Sequence, residues 1–158
     1  YPTPYELHVS HATIDWYQSD ALDYCKKMQG EDIDLAAHFM VIKHVGIVLH
    51  GAPIDDVFGN VPREDYMKSI KADIASAKRD VMEHPISVVL NLCRVYAYLK
   101  DGVILSKDQG GAWGLQHIGH GFHDIIRLAL TCYRSEQAML ICESCAHGFC
   151  DHMLGLIF

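Results

Sequence analysis

The chain has 158 residues, half of them hydrophobic and 21% charged, which suits one folded domain with its own core and argues against intrinsic disorder. No apolar run approaches the length of a membrane span, and no basic-then-apolar leader opens the chain. The formal net charge is −7 with no block of Lys or Arg, which argues against a nucleic-acid partner and suits a cationic small molecule.

The first residue is Tyr1 rather than Met, which fits a fragment or an engineered chain. "YPTPYELHVS" holds two prolines and no helical period, so residues 1–13 read as an extended linker. A helical pattern runs from Ile14 to Gln29, with Gly30 as its stop. "GEDIDLAAHFMVIKHVGIVLHG" predicts a long helix with an acidic first turn, ending at Gly51. "APIDDVFGNVP" reads as a loop. Arg63 to Glu83 is a charged, amphipathic helix that stops before Pro85.

The next helix spans about Ile86 to Lys100. Val88, Val89, Leu92, Val95, Tyr96 and Leu99 form one apolar stripe at the 3.6-residue period, with Arg94 on roughly the opposite face. "DGVIL" is a turn and a short extended piece. In "SKDQ", Ser106 and Gln109 have the spacing of a capping box, so a helix starts at Lys107. A cation in that first turn is unfavourable by roughly 0.3–1 kcal/mol when exposed, a cost that disappears if an anion binds at the same end. Further helices span about Phe122 to Tyr133 and begin near Ser135. There is no internal repeat and no convincing hairpin. The class is all-α, a helical bundle of five to seven helices.

Six cysteines, at 25, 93, 132, 142, 145 and 150, show no even disulfide framework. They read as reduced thiols, and the chain as cytoplasmic.

The blocks "VVLNLCRVYAYLKDGVILSKDQGGAWGL", "YPTPYELH", "DIDLAAHF", "IVLHGAPIDDVFG" and "VPREDYMKSI" give the chain a resemblance to the C-terminal helical domain of bacterial aminoglycoside adenylyltransferases of the spectinomycin/streptomycin type. The resemblance implies that residues 14–158 are this helical domain. The enzyme would transfer AMP from ATP and magnesium to an antibiotic hydroxyl. The family's N-terminal nucleotidyltransferase domain carries a Gly-Ser signature and a D-x-D pair that binds magnesium. This chain has no Gly-Ser signature, and its Asp32 and Asp34 lie at a helix start. Catalytic carboxylates and metal ligands are therefore expected in a partner N-terminal domain and not here.

Position by position, the resemblance assigns Arg94 of "NLCR", Lys107 of "SKD" and Tyr133 of "LALTCY" to the ATP phosphates. Trp16 of "TIDWYQSD" matches a family tryptophan at the drug cleft. Streptomycin-using members carry a Trp and acidic residues before the "VVLNLCR" helix. Here that segment is "ASAKRDVMEHPIS", without Trp, and His84 and Ser87 stand where polar contacts to the aminoglycoside or aminocyclitol are expected. This favours spectinomycin over streptomycin.

Three motifs compete. "CESCAHGFCDH" offers Cys142, Cys145, His147, Cys150 and His152 to a metal or redox site, as in a helical interaction module, but the spacing is too compressed for four ligands from one helix. His117, His120 and His123 are three apart in a glycine-containing stretch. Arg79, Asp80 and His84 match a degenerate motif of HEPN-type helical ribonucleases.

Overall fold

The computed structural model describes residues 3–5, 10–28 and 30–158. Gln29, the expected end of the first helix, lies outside the described residues. Among the described residues the fold is all-α apart from two short strands, and the chain divides into two compact units, residues 1–70 and 71–158.

In the first unit, strands β1 (Thr3–Tyr5) and β2 (Gly30–Asp32) pair antiparallel, Thr3 opposite Asp32 and Tyr5 opposite Gly30. The second strand occupies what the sequence marks as a helix start. The expected first helix is broken into α1 (Ile14–Ser19) and α2 (Ala21–Met28). Asp20 makes the break: its carboxylate accepts the Asp23 N–H at 2.9 Å, which caps α2. Tyr24 is fully buried, hydrogen-bonded to Thr13 at 3.0 Å and packed edge-on by Trp16 and Tyr17.

Helix α3 (Leu35–Val45) stops six residues short of Gly51. Gly46 turns extended at its end, and a Cβ there would collide with the Ile42 carbonyl. The β-branched Ile47 and Val48 that follow gain little from helix. A one-turn helix, α4 (Ile54–Val57), sits in the expected loop, where Lys43 reaches both Asp55 and the Phe58 carbonyl.

Helix α5 (Arg63–Ile74) and the one-turn α6 (Ala77–Asp80) replace the single helix expected over 63–83. The break at Ala75 and Ser76 lets Ile74, Ala77 and Val81 all face inward. Counted by the stretches the sequence marks, the seven helices are present; two are broken, and α4 is added.

The second unit is built around α7 (Pro85–Asp101). Its buried residues are Val89, Leu90, Leu92, Cys93, Val95, Ala97 and Tyr98, a wider face than the expected stripe. The reason is that α6, α8 (Lys107–His117), α9 (His123–Ser135) and α10 (Glu143–Ile157) all pack on it. Pro85 opens α7 and Gly102, at φ +70°, closes it.

Helix α8 approaches α7 and α9 closely because Gly110, Gly111 and Gly114 are buried at the seam. A Cβ on Gly111 would lie 2.6 Å from Leu130 Cδ2, and one on Gly114 2.9 Å from Cys93 Sγ. Helix α9 does run where expected, but α10 does not begin at Ser135. Glu136, at φ +55°, ends α9, and the buried Met139 anchors an irregular segment up to Cys142. "SEQAML" consists of good helix formers, so propensity points the wrong way here and tertiary packing overrides it.

Candidate functional site

The capping box at the start of α8 is present as the spacing predicts. Ser106 accepts the Gln109 N–H at 3.2 Å, and the Gln109 side chain accepts the Ser106 N–H at 2.9 Å. Lys107 therefore does sit in a first turn. Its Nζ donates to Ser87 Oγ at 3.0 Å, across to the first turn of α7. A serine hydroxyl uses one of the ammonium's donors and leaves the others for an anion. Asp108, the next residue, accepts from Arg134 at 2.5 Å, and that bond holds its carboxyl below the usual carboxylate range. Arg134 follows Tyr133, so the end of α9 is tied to the start of α8.

Arg94 is half-buried rather than solvated. Its Nε donates to the Leu105 carbonyl at 2.8 Å and its NH1 to Asn91 Oδ1 at 3.2 Å. Its stem lies against α8, where a Cβ on Gly110 would come within 2.5 Å of Arg94 Cγ. The guanidinium is thus braced on two sides with N–H donors to spare.

Ser87 and His84 line one cavity of about 230 Å³, formed by the end of α5, α6 and the start of α7. Ile74, Ala77 and Val88 give it an apolar floor, and Asp73, Ser76, Asp80 and Asn91 complete the polar wall. Arg79 beside Asp80, joined by the Ser76 hydroxyl, holds the Asp80 carboxyl below its ordinary value. Asp73 accepts from Asn91 at 3.3 Å.

Two carboxylates therefore stand on one wall. Asn91 and Ser87 pass by direct hydrogen bonds to Arg94 and Lys107 on the other side. The hollow is lined by Asp73 and by Asp80, which is ion-paired with Arg79, and the cationic side chains of Arg94 and Lys107 lie beyond Asn91 and Ser87.

Asp73 and Asn91 are cavity residues that sequence reasoning did not single out, and Asp80 was singled out only within the ribonuclease-like motif. Asn91 was visible in principle, since it lies three residues before Arg94 and so on the same helix face. Asp73 and Asp80 approach α7 only because of the break between α5 and α6.

Tyr133 lines a second hollow, of about 660 Å³, with Ile86, Glu136 and Gln137. Arg134, next to Tyr133, bonds Asp108, next to Lys107. Trp16 belongs to the first unit, where it donates to Asp23 at 3.2 Å and packs on Tyr24.

The competing motifs come apart. Among the described residues, no three His, Cys, Asp or Glu side chains are grouped to hold a metal. Helix α10 runs unbroken through Gly148; His152 stacks on Phe122 and Cys150 is buried against the Ala77 carbonyl. His117 bonds the Trp113 carbonyl and His123 the Ile118 carbonyl. Arg79 is committed to Asp80, and His84 lines the same cavity as Asp73 and Asp80. Asp34 accepts from His38, and Asp32 accepts the Asp34 N–H, so this pair serves local turns.

No helix among the described residues is long and apolar enough to cross a membrane. No curated protein matches the chain. A crystal structure of spectinomycin adenyltransferase AAD(9) from Enterococcus faecialis, with ATP and spectinomycin, superposes with a TM-score of 0.76 at 16% sequence identity. The match covers 99% of this chain and 62% of the other, so this chain spans less than two thirds of that protein's length. The likeness establishes the fold. Residues 56–154 match the family described as aminoglycoside adenylyltransferase, C-terminal domain. That span is more than half of the chain, and the chain belongs to this family.

Proposed function

We propose that residues 14–158, after a linker over 1–13, form the substrate- and nucleotide-contacting helical domain of an aminoglycoside O-adenylyltransferase that favours spectinomycin. The observation that carries this reading is the site around Ser87 and Asn91. Asp73 and Asp80 offer negative charge to the amines of an antibiotic, while Arg94 and Lys107 offer positive charge to a triphosphate. Ser87 and Asn91 link the two halves.

The reaction needs that adjacency. The antibiotic hydroxyl attacks the α-phosphorus of ATP, the bond to the β-phosphate oxygen breaks, and pyrophosphate leaves with the added negative charge. Lys107 and Arg94 stabilise that charge, and Tyr133, beside the Arg134 that bonds Asp108 at the start of α8, contacts the same phosphates. Holding donor and acceptor together supplies the proximity term. His84 and Ser87 contact the drug in the cavity at the start of α7; Trp16 is assigned to the drug only by its match to the family tryptophan. The segment before α7 has no Trp where streptomycin-using members carry one, which favours spectinomycin.

The family resemblance assigns the magnesium-binding aspartates and the general base to an N-terminal nucleotidyltransferase partner domain, with magnesium arriving on the nucleotide. The protein would act in the cytoplasm, where ATP is available.

The test is pyrophosphate release with ATP, magnesium and antibiotic. The chain by itself should give no turnover that survives repurification. Joined to its nucleotidyltransferase domain it should turn over, with a higher kcat/KM for spectinomycin than for streptomycin. Turnover by the chain alone would defeat the division of labour, and a preference for streptomycin would defeat the substrate assignment.

A further inference from the structure

Cys142 and Cys145 are paired as a disulfide, with Cα atoms 5.4 Å apart, which corrects the expectation that all six thiols are reduced. The i, i+3 spacing at a helix start makes the pairing possible. Cys142 is the N-cap of α10, its sulfur accepting the Cys145 N–H at 3.3 Å, and Cys145 lies in the first turn. Both residues are exposed.

The other four cysteines differ in kind. Cys93, Cys132 and Cys150 are buried, and Cys25 is partly covered. Burial pushes the Cys93 thiol up to about 12 and the Cys150 thiol up to about 11, so both stay protonated and inert near neutral pH. The metal alternative for the pair lacks further ligands, since His147 lies 3.8 Å from Glu143, His152 is stacked on Phe122 and Cys150 is buried.

We propose that Cys142 and Cys145 form a reversible thiol–disulfide site that exchanges with low-molecular-weight thiols and disulfides such as glutathione. Helix α10 is long enough, at 15 residues, for its positive end to favour charge on the capping sulfur, and the Cys145 N–H adds a hydrogen bond to it. Cys142 is therefore the attacking thiolate.

In the oxidising direction, Cys142 Sγ attacks one sulfur of glutathione disulfide. The S–S bond of the glutathione breaks, one glutathione thiolate leaves, and a mixed disulfide remains on Cys142. Cys145 Sγ then attacks Cys142 Sγ and releases the second glutathione thiolate. Two protein thiols lose two electrons, glutathione disulfide gains them, and the two cysteine protons pass to the released thiolates. Reduction follows the same path backwards.

The experiment uses the intact protein, equilibrated in glutathione buffers from fully reduced to fully oxidised, quenched by alkylation and mapped by mass. Cys142 and Cys145 should change state together, with any glutathione adduct on Cys142 and none of the other four cysteines joining them. In the reduced protein, Cys142 should alkylate at least about tenfold faster than Cys145 at pH 7. Cys142→Ser keeps a capping oxygen, so α10 stays folded; this variant should lose the two-thiol transition and leave Cys145 a slow, single thiol. The proposal is overturned if both thiols stay free in the most oxidising buffer, if they stay linked in excess dithiothreitol, or if the adduct forms on Cys145. None of these readouts depends on adenylyl transfer.

Discussion

Lys107 Nζ and Ser87 Oγ lie 3.0 Å apart, joining the first turns of two helices whose residues are 20 apart in sequence. Under the proposed function Lys107 binds phosphate and Ser87 binds the drug, so the two half-sites would share this hydrogen bond. In the protein with its nucleotidyltransferase domain, Lys107→Ala should weaken ATP roughly ten- to hundredfold, from the loss of a charge-assisted bond worth ~1.5–3 kcal/mol. The apo melting temperature should hardly move, because a cation also leaves the positive end of α8. Ser87→Ala should change ATP affinity only a few-fold. Calorimetric titration of ATP beside thermal melts separates these outcomes; a large loss of apo stability would make Lys107 a structural residue.

Asp80 is the test of the anionic wall. Asp80→Asn should lower spectinomycin affinity about tenfold and leave ATP affinity within a few-fold, if a single ion pair across the cavity is lost. Arg79 and the Ser76 hydroxyl hold the Asp80 carboxyl below its ordinary value. The sign follows. Its stabilising contribution is complete above the unfolded-state value and is lost only as pH falls through the lower folded-state value. Drug binding should therefore be flat from pH 8 to pH 5 as far as Asp80 is concerned. A decline within that window would count against Asp80 as the drug-binding group.

Gly110 tests how tightly Arg94 is held. A Cβ at Gly110 would come within 2.5 Å of Arg94 Cγ, whereas a Cβ at Gly119 meets nothing within 4 Å. Gly110→Ala should cost ~1–3 kcal/mol of stability by overpacking and should also weaken ATP by displacing the guanidinium. Gly119→Ala should do neither. Urea melts and ATP titration on both variants make the comparison. Unchanged ATP affinity in a folded Gly110→Ala protein would release Arg94 from the phosphate site.

Cys93 gives the fold a measurable alkaline limit. Burial raises its thiol to about 12, above the unfolded-state value near 9. The neutral thiol's contribution is full below that unfolded value and is lost as pH rises from there towards the folded value. Between about pH 9 and pH 11, stability should fall more steeply in the natural chain than in Cys93→Ala, although the variant is less stable throughout. Chemical denaturation at each pH reads the difference in slope.

What the sequence by itself determined here is local. Ser106 and Gln109 set the start of α8 because a capping box closes within one turn, and Gly102 ends α7 because the turn after it needs a left-handed residue. The apolar period of residues 86–100 made α7 a helix, and the α7–α8 block carried the family resemblance. Tertiary structure decided the rest. The same period could not show that α7 would be packed by four helices and so buried beyond one stripe. Propensity started the last helix near Ser135, in "SEQAML", where burial of Met139 instead holds an irregular segment up to Cys142. The step between α5 and α6, which brings Asp73 and Asp80 to the cavity, has no local marker. Capping and periodicity act over three or four residues and can be read along the chain. The Lys107–Ser87 bond, the Asn91–Asp73 bond and the seat of Arg94 on Gly110 join residues more than a dozen apart, and packing alone brings them together.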